Sequence, residues 1–390
     1  MGIEIIKGGL MTTVQDAGRR GYQRYGMGVS GAVDVHSYHY ANILVGNERN
    51  EAVLEATMIG PSIRFQSDSV IAVTGGDLSP SLDGKPCPMY QAVPVSAGNV
   101  LSFGMMKTGC RAYIAFAGGL EIYPVMGSRS TYIKAGLGGF DGRKLKDGDE
   151  IAFARSGFMP KNLEKRILPE ELRFDAVAGV NRAGVTGTAT TAANTGPREY
   201  TVRVLLGPQD DRFTEAGLET FLNSAYKVTD QFDRMGCRLT GPKIEHVTDG
   251  NIITDGIAFG AIQVPDSGEP IIMLSDRQTT GGYAKIASII NVDMPMIAQA
   301  KTGDTIRFVK TDIDTAQDEF VAQIERYKEL QDLFDGREKK TAAVAAPGAN
   351  EALAGEDRAG KEPAVPKTAG GKYLVRVNGK AFHITLKEIE

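Results

Sequence analysis

Tryptophan is absent from this chain of 390 residues, and cysteine and histidine are scarce, with three and four copies. The cysteines, Cys87, Cys110 and Cys237, are odd in number and widely spaced. They form neither a disulfide framework nor the close pairs of a zinc site, so we expect a reducing cytoplasm. His36 and His39 stand three apart on a predicted helix, but no third ligand lies near them in the sequence. We interpret them as packing residues and expect no metal site.

An excess of one charge and a long apolar run are also missing. The net charge of −4 and the lack of a basic arm give no reason to expect a nucleic-acid partner. No apolar span is long enough to cross a bilayer, and the first eight residues are typical of a short strand and not of a targeting leader. The chain has no Walker-type phosphate loop and no Gly-x-Ser-x-Gly elbow. These absences favour a cytoplasmic protein without a P-loop or a serine nucleophile.

Glycine is abundant, with 47 copies, and short runs of period two recur along the chain. One pattern of a glycine turn followed by an alternating strand appears three times, at 98–103, 148–153 and 303–308. Together these features predict a mainly β protein with a few helices, built as two β-rich halves.

Three helices are predicted from capping residues and apolar spacing. Asp34 is the expected N-cap of a helix that ends at Gly46-Asn47. A second short helix is expected from Phe213 to about Leu222, and a third over about 315–334. The third carries an apolar stripe that we interpret as core packing, formed by Phe320, Ile324, Tyr327 and Phe334.

Composition divides the chain into five parts. Gly184 to Pro197 is mostly Thr, Ala and Gly, and a later stretch is rich in Ala, Pro, Glu and Lys. Neither can form a core, so we expect flexible segments there. Near the C-terminus, Asn378-Gly379 between alternating residues predicts a β-hairpin. The predicted parts are a first β-rich half (1–155), a flexible connection (156–200), a second β-rich half with a C-terminal helix (201–334), a disordered linker (335–371) and the hairpin (372–390).

Two polar runs carry the densest set of donors and acceptors. The first is Thr12-Thr13-Val14-Gln15-Asp16-Ala17-Gly18-Arg19 and continues to Asp34. The second is Ser275-Asp276-Arg277-Gln278-Thr279-Thr280-Gly281-Gly282-Tyr283. Each combines Asp, Arg and Gln with glycines that allow close approach of the backbone to a ligand. Such runs either bind a planar carboxylate or amide, or hydrogen-bond only their own loops.

These two runs resemble the signatures of the large-subunit carboxyltransferase family. The family includes the carboxyltransferase domain of urea amidolyase, the C subunit of 5-oxoprolinase and an antagonist of a bacterial histidine-kinase inhibitor. Further matching segments occur in the expected order, and the resemblance spans about residues 3–310: Gly75-Gly76-Asp77-Leu78, Gly118-Gly119-Leu120, Gly127 to Thr131, and Arg234 to Leu239. The resemblance implies that the two halves are cyclophilin-like β-barrels.

The C-terminal hairpin resembles the opening strands of a biotin carrier domain. The biotin-accepting Ala-Met-Lys-Met motif is absent, and Met106-Lys107 is the only Met-Lys pair. We therefore expect no biotin on this chain. The hairpin either recruits or completes a separate carrier, or is a remnant.

We predict that the chemistry is electrostatic positioning of an amide-type substrate. Arginines would orient anionic or carbonyl oxygens, and an aspartate would accept a proton. The predicted catalytic residues are Asp16, Arg19, Asp276 and Arg277. The predicted substrate-binding residues are Gln15, Ser275, Gln278, Thr279, Thr280, Tyr283, Ser128, Arg129, Arg234 and Arg238. For each arginine the alternative is an ion pair that fixes a loop.

Three functions follow from the resemblance. The first is a subunit that acts with a smaller homologous partner, and with a lactam-utilisation subunit, in the ATP-dependent opening of 5-oxoproline to glutamate; ATP would bind at the complex. The second is a carboxyltransferase that moves carboxylate from biotin on a separate carrier to urea or a related amide. The third is a regulatory protein that binds a kinase inhibitor.

Overall fold

The computed structural model describes residues 1–174 and 196–337, and the backbone of 372–377 and 380–385. The chain divides into two compact units, Met1–Lys339 and Lys340–Glu390. Both predicted β-rich halves thus belong to the first unit. No helix in the described ranges has the length and apolar character that crossing a membrane requires.

The described residues are mainly β-strand, as predicted. The strands are β1 Gly2–Lys7, β2 Met11–Gln15, β3 Val53–Thr57, β4 Ser62–Phe65, β5 Ser69–Asp77, β6 Pro80–Leu82, β7 Lys85–Pro86, β8 Val93–Val95, β9 Val100–Phe103, β10 Thr108–Phe116, β11 Glu150–Ala152, β12 Glu199–Leu206, β13 Ala225–Phe232, β14 Gly236–Thr240, β15 Asn251–Gly256, β16 Ala261–Gln263, β17 Ile271–Met273, β18 Thr280–Tyr283, β19 Lys285–Ile289, β20 Thr305–Lys310, β21 Lys372–Val377 and β22 Lys380–Thr385. The α-helices are α1 Val35–Leu44, α2 Glu215–Asn223, α3 Met294–Gln299 and α4 Ile313–Asp335.

The first half consists of two sheets. One has the order β11-β1-β4-β9-β6-β7 and the other β2-β3-β10-β5-β8. Strand β5 shows why both faces of the second sheet are buried, because its side chains alternate between two cores. Ile71 and Val73 belong to the core between the two sheets. Val70 and Ala72 belong to a second core, which continues into the other half.

The second half is a closed barrel with the order β12-β19-β16-β17-β14-β13-β20. Strands β12 and β20 are parallel, and the other pairs in the barrel are antiparallel. Helix α2 packs its buried Phe221 against Phe308 of β20, with the ring centroids 4.5 Å apart. Strands β15 and β18 form a separate two-stranded ribbon.

The three predicted helices are present. Asp34 caps α1 by accepting a hydrogen bond from the Ser37 amide, and Thr214 caps α2 in the same way. Helix α4 buries Tyr327 and Phe334 as predicted, but Phe320 is 43% exposed, so that part of the predicted stripe is wrong. The buried face instead continues through Gln323. One turn earlier, the partly exposed Glu319 pairs with Arg203.

The predicted flexible connection over 156–200 is wrong for its described first part. Residues 163–165 and 170–172 form 3₁₀ turns, and Ile167 between them forms a β-bridge with Gln91 of the first half. Arg166 is buried and binds Asp335 and the Ile43 carbonyl, while Leu168 and Phe174 join the core. The prediction extended the composition of 184–197 to a preceding segment that has apolar residues to bury.

Two other predicted segments fall largely outside the described residues. These are 175–195, which holds most of the Thr/Ala/Gly stretch, and 338–371 of the predicted linker. The hairpin is present as β21 and β22, an antiparallel pair whose register places Val377 opposite Lys380. Its Asn378-Gly379 turn lies outside the described residues.

Candidate functional site

Asp16 organises the first polar run. Its carboxylate accepts hydrogen bonds from the Gly18 amide, the Arg129 amide and the hydroxyls of Ser128 and Ser130. The buried hydroxyls come from the loop at 127–131, over 110 residues away in sequence. Asp16 is 6% exposed. These bonds fasten the loop after β2 to a second loop of the same half.

Ser30 connects the first polar run to the second. Its Oγ lies 2.7 Å from Asp276 Oδ1 and 2.8 Å from the Thr131 carbonyl oxygen. Its backbone amide donates to the Ser275 carbonyl, and the Ser275 hydroxyl donates to the carbonyl of Ala32. The structure therefore brings the two predicted runs together at the junction of the halves.

Arg234 lies buried at this junction between two carboxylates. Its Nε and Nη2 donate to Asp276 at 3.0 and 3.1 Å, Nη2 donates to the Gly31 carbonyl at 2.6 Å, and Nη1 donates to Glu55. Burial opposes its charge, but Asp276 and Glu55 together raise the pKa of Arg234. The guanidinium is thus a cross-link between β3 of the first half and the second polar run.

Glu55 is a central residue that the sequence analysis missed. Although burial acts against its charge, the neighbouring Arg234 and Arg111 lower the pKa of Glu55. Its Oε2 also accepts from the Val33 amide at 2.9 Å and from the Tyr113 hydroxyl at 2.8 Å. One sequence signal was available, because Glu55 is the sole charge in a strand that is otherwise apolar up to Thr57. We call Asp16, Ser30, Glu55, Arg234 and Asp276 the junction cluster.

Gln299 is a second missed residue, contributed by α3 of the second half. Its side-chain oxygen accepts from the Cys110 and Arg111 amides at 3.0 and 2.9 Å. Its nitrogen donates to Asp34 Oδ2 and to the Arg111 carbonyl. A Cβ at Gly75 would lie 2.5 Å from the Arg111 carbonyl oxygen and 3.0 Å from this amide, and a Cβ at Gly76 would lie 2.8 Å from the Thr108 carbonyl oxygen and 2.9 Å from it, so both positions require glycine. Burial raises the pKa of Asp34.

Neither Arg19 nor Arg277, two of the predicted catalytic residues, forms an ion pair within the described residues. Arg19 is fully buried; Nε and Nη2 donate to the carbonyls of Val125 and Ser130, and Nη1 has no hydrogen-bond partner among the described residues. Arg277 donates to the carbonyls of Ile257 and Leu274, and no carboxylate of the described residues pairs with it. Burial, and then the charge of Arg20, lower the pKa of Arg277 to about 10. Burial also lowers the pKa of Arg19, against the opposing charges of Asp16 and Asp276.

The other predicted residues fall into two groups. Gln15 is buried in the first half, with its Nε2 bound to Thr13 and to the Thr131 carbonyl, whereas Oε1 has no hydrogen-bond partner in the part of the chain that the structure describes. Beyond Arg277 the second run becomes more exposed, and its last residues form strand β18 of the ribbon. That group contains Gln278, Thr279, Thr280 and Tyr283.

Two predicted arginines do not join the junction cluster through their side chains. Arg129 pairs with Glu51 at 3.3 Å and donates to the Ile122 carbonyl, so it fixes its own loop. Arg238 is exposed on β14, because its neighbours Cys237 and Leu239 point into the barrel. The alternation of the strand thus turns Arg238 away from the site.

In the described ranges, no three His, Cys, Asp or Glu side chains converge as a metal site. A cavity of about 720 Å³ lies in the first half, and none of its lining residues belongs to the junction cluster. The candidate site is therefore defined by buried polar contacts and by two buried arginines that form no ion pair within the described residues, and not by this cavity.

Comparison with known proteins places the chain in a family. Residues 25–310 match the carboxyltransferase domain, subdomain A and B. The chain belongs to this carboxyltransferase domain family, which confirms the predicted resemblance.

Among its relatives, the C subunit of 5-oxoprolinase from Escherichia coli is 36% identical over 314 residues, covering 80% of this chain and 93% of the relative. Urea amidolyase of Saccharomyces cerevisiae is 32% identical over 330 residues, but the match spans only 17% of that longer protein. The crystal structure of Kluyveromyces lactis urea carboxylase superposes with a TM-score of 0.75 at 30% identity, covering 84% of this chain and 29% of that one.

Proposed function

We propose that this chain is a subunit of an amide-processing enzyme complex of the 5-oxoprolinase type, which opens 5-oxoproline to glutamate with ATP. The match over 93% of the E. coli relative supports this proposal, because no large part of that protein lacks a counterpart here. The partners would be a smaller homologous subunit and a lactam-utilisation subunit. ATP would bind at the complex, since this chain has no P-loop. Three unpaired, buried cysteines favour a cytoplasmic location.

The observation that carries the proposal is the uncompensated charge of Arg277. A buried guanidinium without a counter-ion is costly unless a ligand anion completes it. The carboxylate of 5-oxoproline fits this requirement, because a guanidinium binds a carboxylate bidentately. Arg19 is a second candidate donor, through its unpartnered Nη1. Asp276, which precedes Arg277 in the sequence, opposes the lowering of the Arg19 pKa by burial.

The remaining predicted residues take supporting roles in this proposal. Asp16 positions the first run and is not the proton acceptor, because its hydrogen bonds hold two loops together. Asp276 holds Arg234 and Ser30, and thereby places Arg277. The half-exposed amides and hydroxyls of the second run would contact the amide group of the substrate, with Ser275 on the buried side.

Carboxyl transfer from biotin is the second candidate function. It is favoured by the match to a carboxyltransferase domain and by the fold shared with urea carboxylase. The ureido carbonyl of biotin on a separate carrier would accept from Arg19 Nη1, an orphaned buried donor suited to a carbonyl oxygen. Bound biotin would supply the activated carboxylate, and urea or a related amide would receive it.

Reconstitution distinguishes the two functions. The purified chain is mixed with the small homologous subunit and the lactam-utilisation subunit, and ATP hydrolysis and glutamate are measured with and without 5-oxoproline. Avidin is added in parallel to capture any biotin. We expect 5-oxoproline-dependent glutamate formation that avidin does not inhibit. In a second assay, a biotin carrier and a biotin carboxylase are supplied with urea and bicarbonate. If the first mixture shows no turnover and the second shows bicarbonate-dependent activity on urea, the first function is refuted and the second is supported.

A further inference from the structure

A cavity of about 720 Å³ opens in the first half, away from the junction cluster. Its size lies within the range of about 300–1,000 Å³ that is usual for small-molecule sites. Four segments line it: the end of β5 with the following residues 79–81, the stretch 84–91, Lys107, and the 3₁₀ turn region with Glu170 and Arg173.

One wall is built by the segment that the sequence predicted to be flexible. Arg173 donates from Nε and Nη2 to the Leu168 carbonyl, at 3.1 and 2.9 Å. Leu168 is fully buried, and its amide donates to the Tyr90 carbonyl. The guanidinium of Arg173 lies 5.8 Å from the ring centroid of Tyr90. The wall therefore has a fixed position with a cation at its rim.

The lining combines an apolar surface with two cations and two carboxylates. The apolar part consists of Pro80, Pro86, Pro88 and Met89. The cations are Lys107 and Arg173, contributed by separate segments of the chain, and the carboxylates are Asp77 and Glu170. This surface suits a ligand with a ring or other apolar body whose anionic group takes the place of the carboxylates beside the two cations.

The carboxylate partners of both cations are weak. Lys107 Nζ lies 3.6 Å from Asp77 Oδ2, and the Lys107 side chain is 56% exposed. Arg173 Nη1 lies 3.9 Å from Glu170 Oε1, and the Glu170 side chain is 88% exposed. Long, solvated ion pairs contribute little to stability. A ligand anion can therefore replace these carboxylates at small cost.

Backbone strain marks the same cavity. Ser79 and Tyr90 are both in the left-handed region, with φ of 52° and 59°. This conformation is a genuine outlier for a side chain as bulky as tyrosine. Tyr90 is held in it by hydrogen bonds of its amide to the Val73 carbonyl and of its hydroxyl to the Gly75 carbonyl. Strained residues of this kind cluster at ligand sites.

We propose that this cavity is a second ligand site, for a small organic anion with a ring or apolar body, bound through Lys107 and Arg173. The site is independent of the proposed function, since it shares no residue with the junction cluster.

The test uses 8-anilinonaphthalene-1-sulfonate, a fluorescent aromatic anion, with the full chain. We expect one molecule of the probe to bind saturably to each chain. Lys107→Met and Arg173→Met should each raise the Kd of the probe about tenfold, because each variant loses one charge-assisted contact. The matched control is Lys7→Met, which removes an exposed lysine of β1 far from the lining and should leave the Kd unchanged. Benzoate should displace the probe, and neutral benzamide should not.

Cys87 reports independently on the location of the bound probe. It lines the cavity, whereas Cys110 and Cys237 do not. Burial raises the pKa of the Cys87 thiol to about 11, so alkylation is followed at alkaline pH. Protection of Cys87 by the probe supports the proposal. Unchanged alkylation, or equal probe binding by wild type and by the folded Lys107→Met variant, would overturn it.

Discussion

Ser30 and Asp276 are 246 residues apart in sequence, and their side chains lie 2.7 Å apart across the junction of the two halves. Ser30 adopts a positive φ of 58°, a conformation that directs its hydroxyl toward Asp276 within the loop. The two polar runs therefore become one site only when the halves pack together. The geometry of the candidate site and the packing of the two halves therefore depend on the same contacts.

Replacing Gln299 tests this coupling through stability. Gln299→Leu removes the side-chain acceptor of the buried Cys110 and Arg111 amides, and it leaves the Asp34 carboxylate with Ser37 as its side-chain partner. We expect the free energy of unfolding to fall by about 3 kcal/mol, because each unsatisfied buried group costs about 1–3 kcal/mol. The measurement is urea denaturation followed by circular dichroism, since the chain has no tryptophan.

The matched control for that measurement is Gln231→Leu, at an exposed position of β13. It should change the free energy of unfolding by no more than about 0.5 kcal/mol. A Gln299→Leu variant as stable as this control would mean that the amide does not hold the halves together.

The burial of His39 should make the free energy of unfolding fall at acidic pH. Its ring is packed between Tyr38 and Tyr327, and Nδ1 lies 2.9 Å from the Arg49 carbonyl. Burial, assisted by the charges of Arg49 and Arg20, lowers the pKa of His39 from 6.5 to about 4, although the bond to the carbonyl opposes the shift.

The unfolded chain therefore takes up a proton near pH 6.5 while the folded chain stays neutral to about pH 4. The contribution of neutral His39 to the free energy of unfolding is therefore complete above pH 6.5 and is lost as the pH falls toward 4. Between pH 7.5 and 5.0, wild type should lose about 2 kcal/mol more unfolding free energy than His39→Asn, at about 1.4 kcal/mol per pH unit below 6.5. Parallel pH profiles of the two proteins would contradict this assignment.

Local sequence signals predicted the elements of this fold well. Such signals act within a few residues, so a sequence displays them directly; examples are Asp34 before α1 and the glycine turns before β9, β11 and β20. The two polar runs were found for the same reason.

The junction itself was not predictable in detail, because its contacts join distant positions. Glu55 meets Arg234, 179 residues away, and Gln299 meets Cys110, 189 residues away. Arg238 was assigned to the site from its sequence neighbours, yet strand alternation turns it outward. Such relationships depend on strand register and on how the halves pack, which a single sequence does not display.

Truncation tests whether the C-terminal hairpin takes part in the proposed reaction. All the residues placed at the candidate site lie between Gln15 and Gln299, within the first compact unit. A chain ending at Arg337 should fold and should retain 5-oxoproline turnover in the reconstituted complex. Loss of turnover with unchanged stability would instead assign the hairpin a role in the reaction, as a docking element for a carrier.

The central claim, that Arg277 binds the substrate anion, is tested most directly by steady-state kinetics of Arg277→Ala in the reconstituted complex. The control is Arg238→Ala, which removes the same charge from the outer face of the barrel. We predict that kcat/KM for 5-oxoproline falls about 100-fold or more in Arg277→Ala, as for loss of a preorganised donor, while Arg238→Ala stays within about twofold of wild type. Binding of the small homologous partner should be unchanged in both variants. Normal turnover by Arg277→Ala would contradict this claim. If the wild-type chain binds the small homologous subunit but the complex shows no turnover, the third function, a regulatory protein that binds a kinase inhibitor, would be favoured.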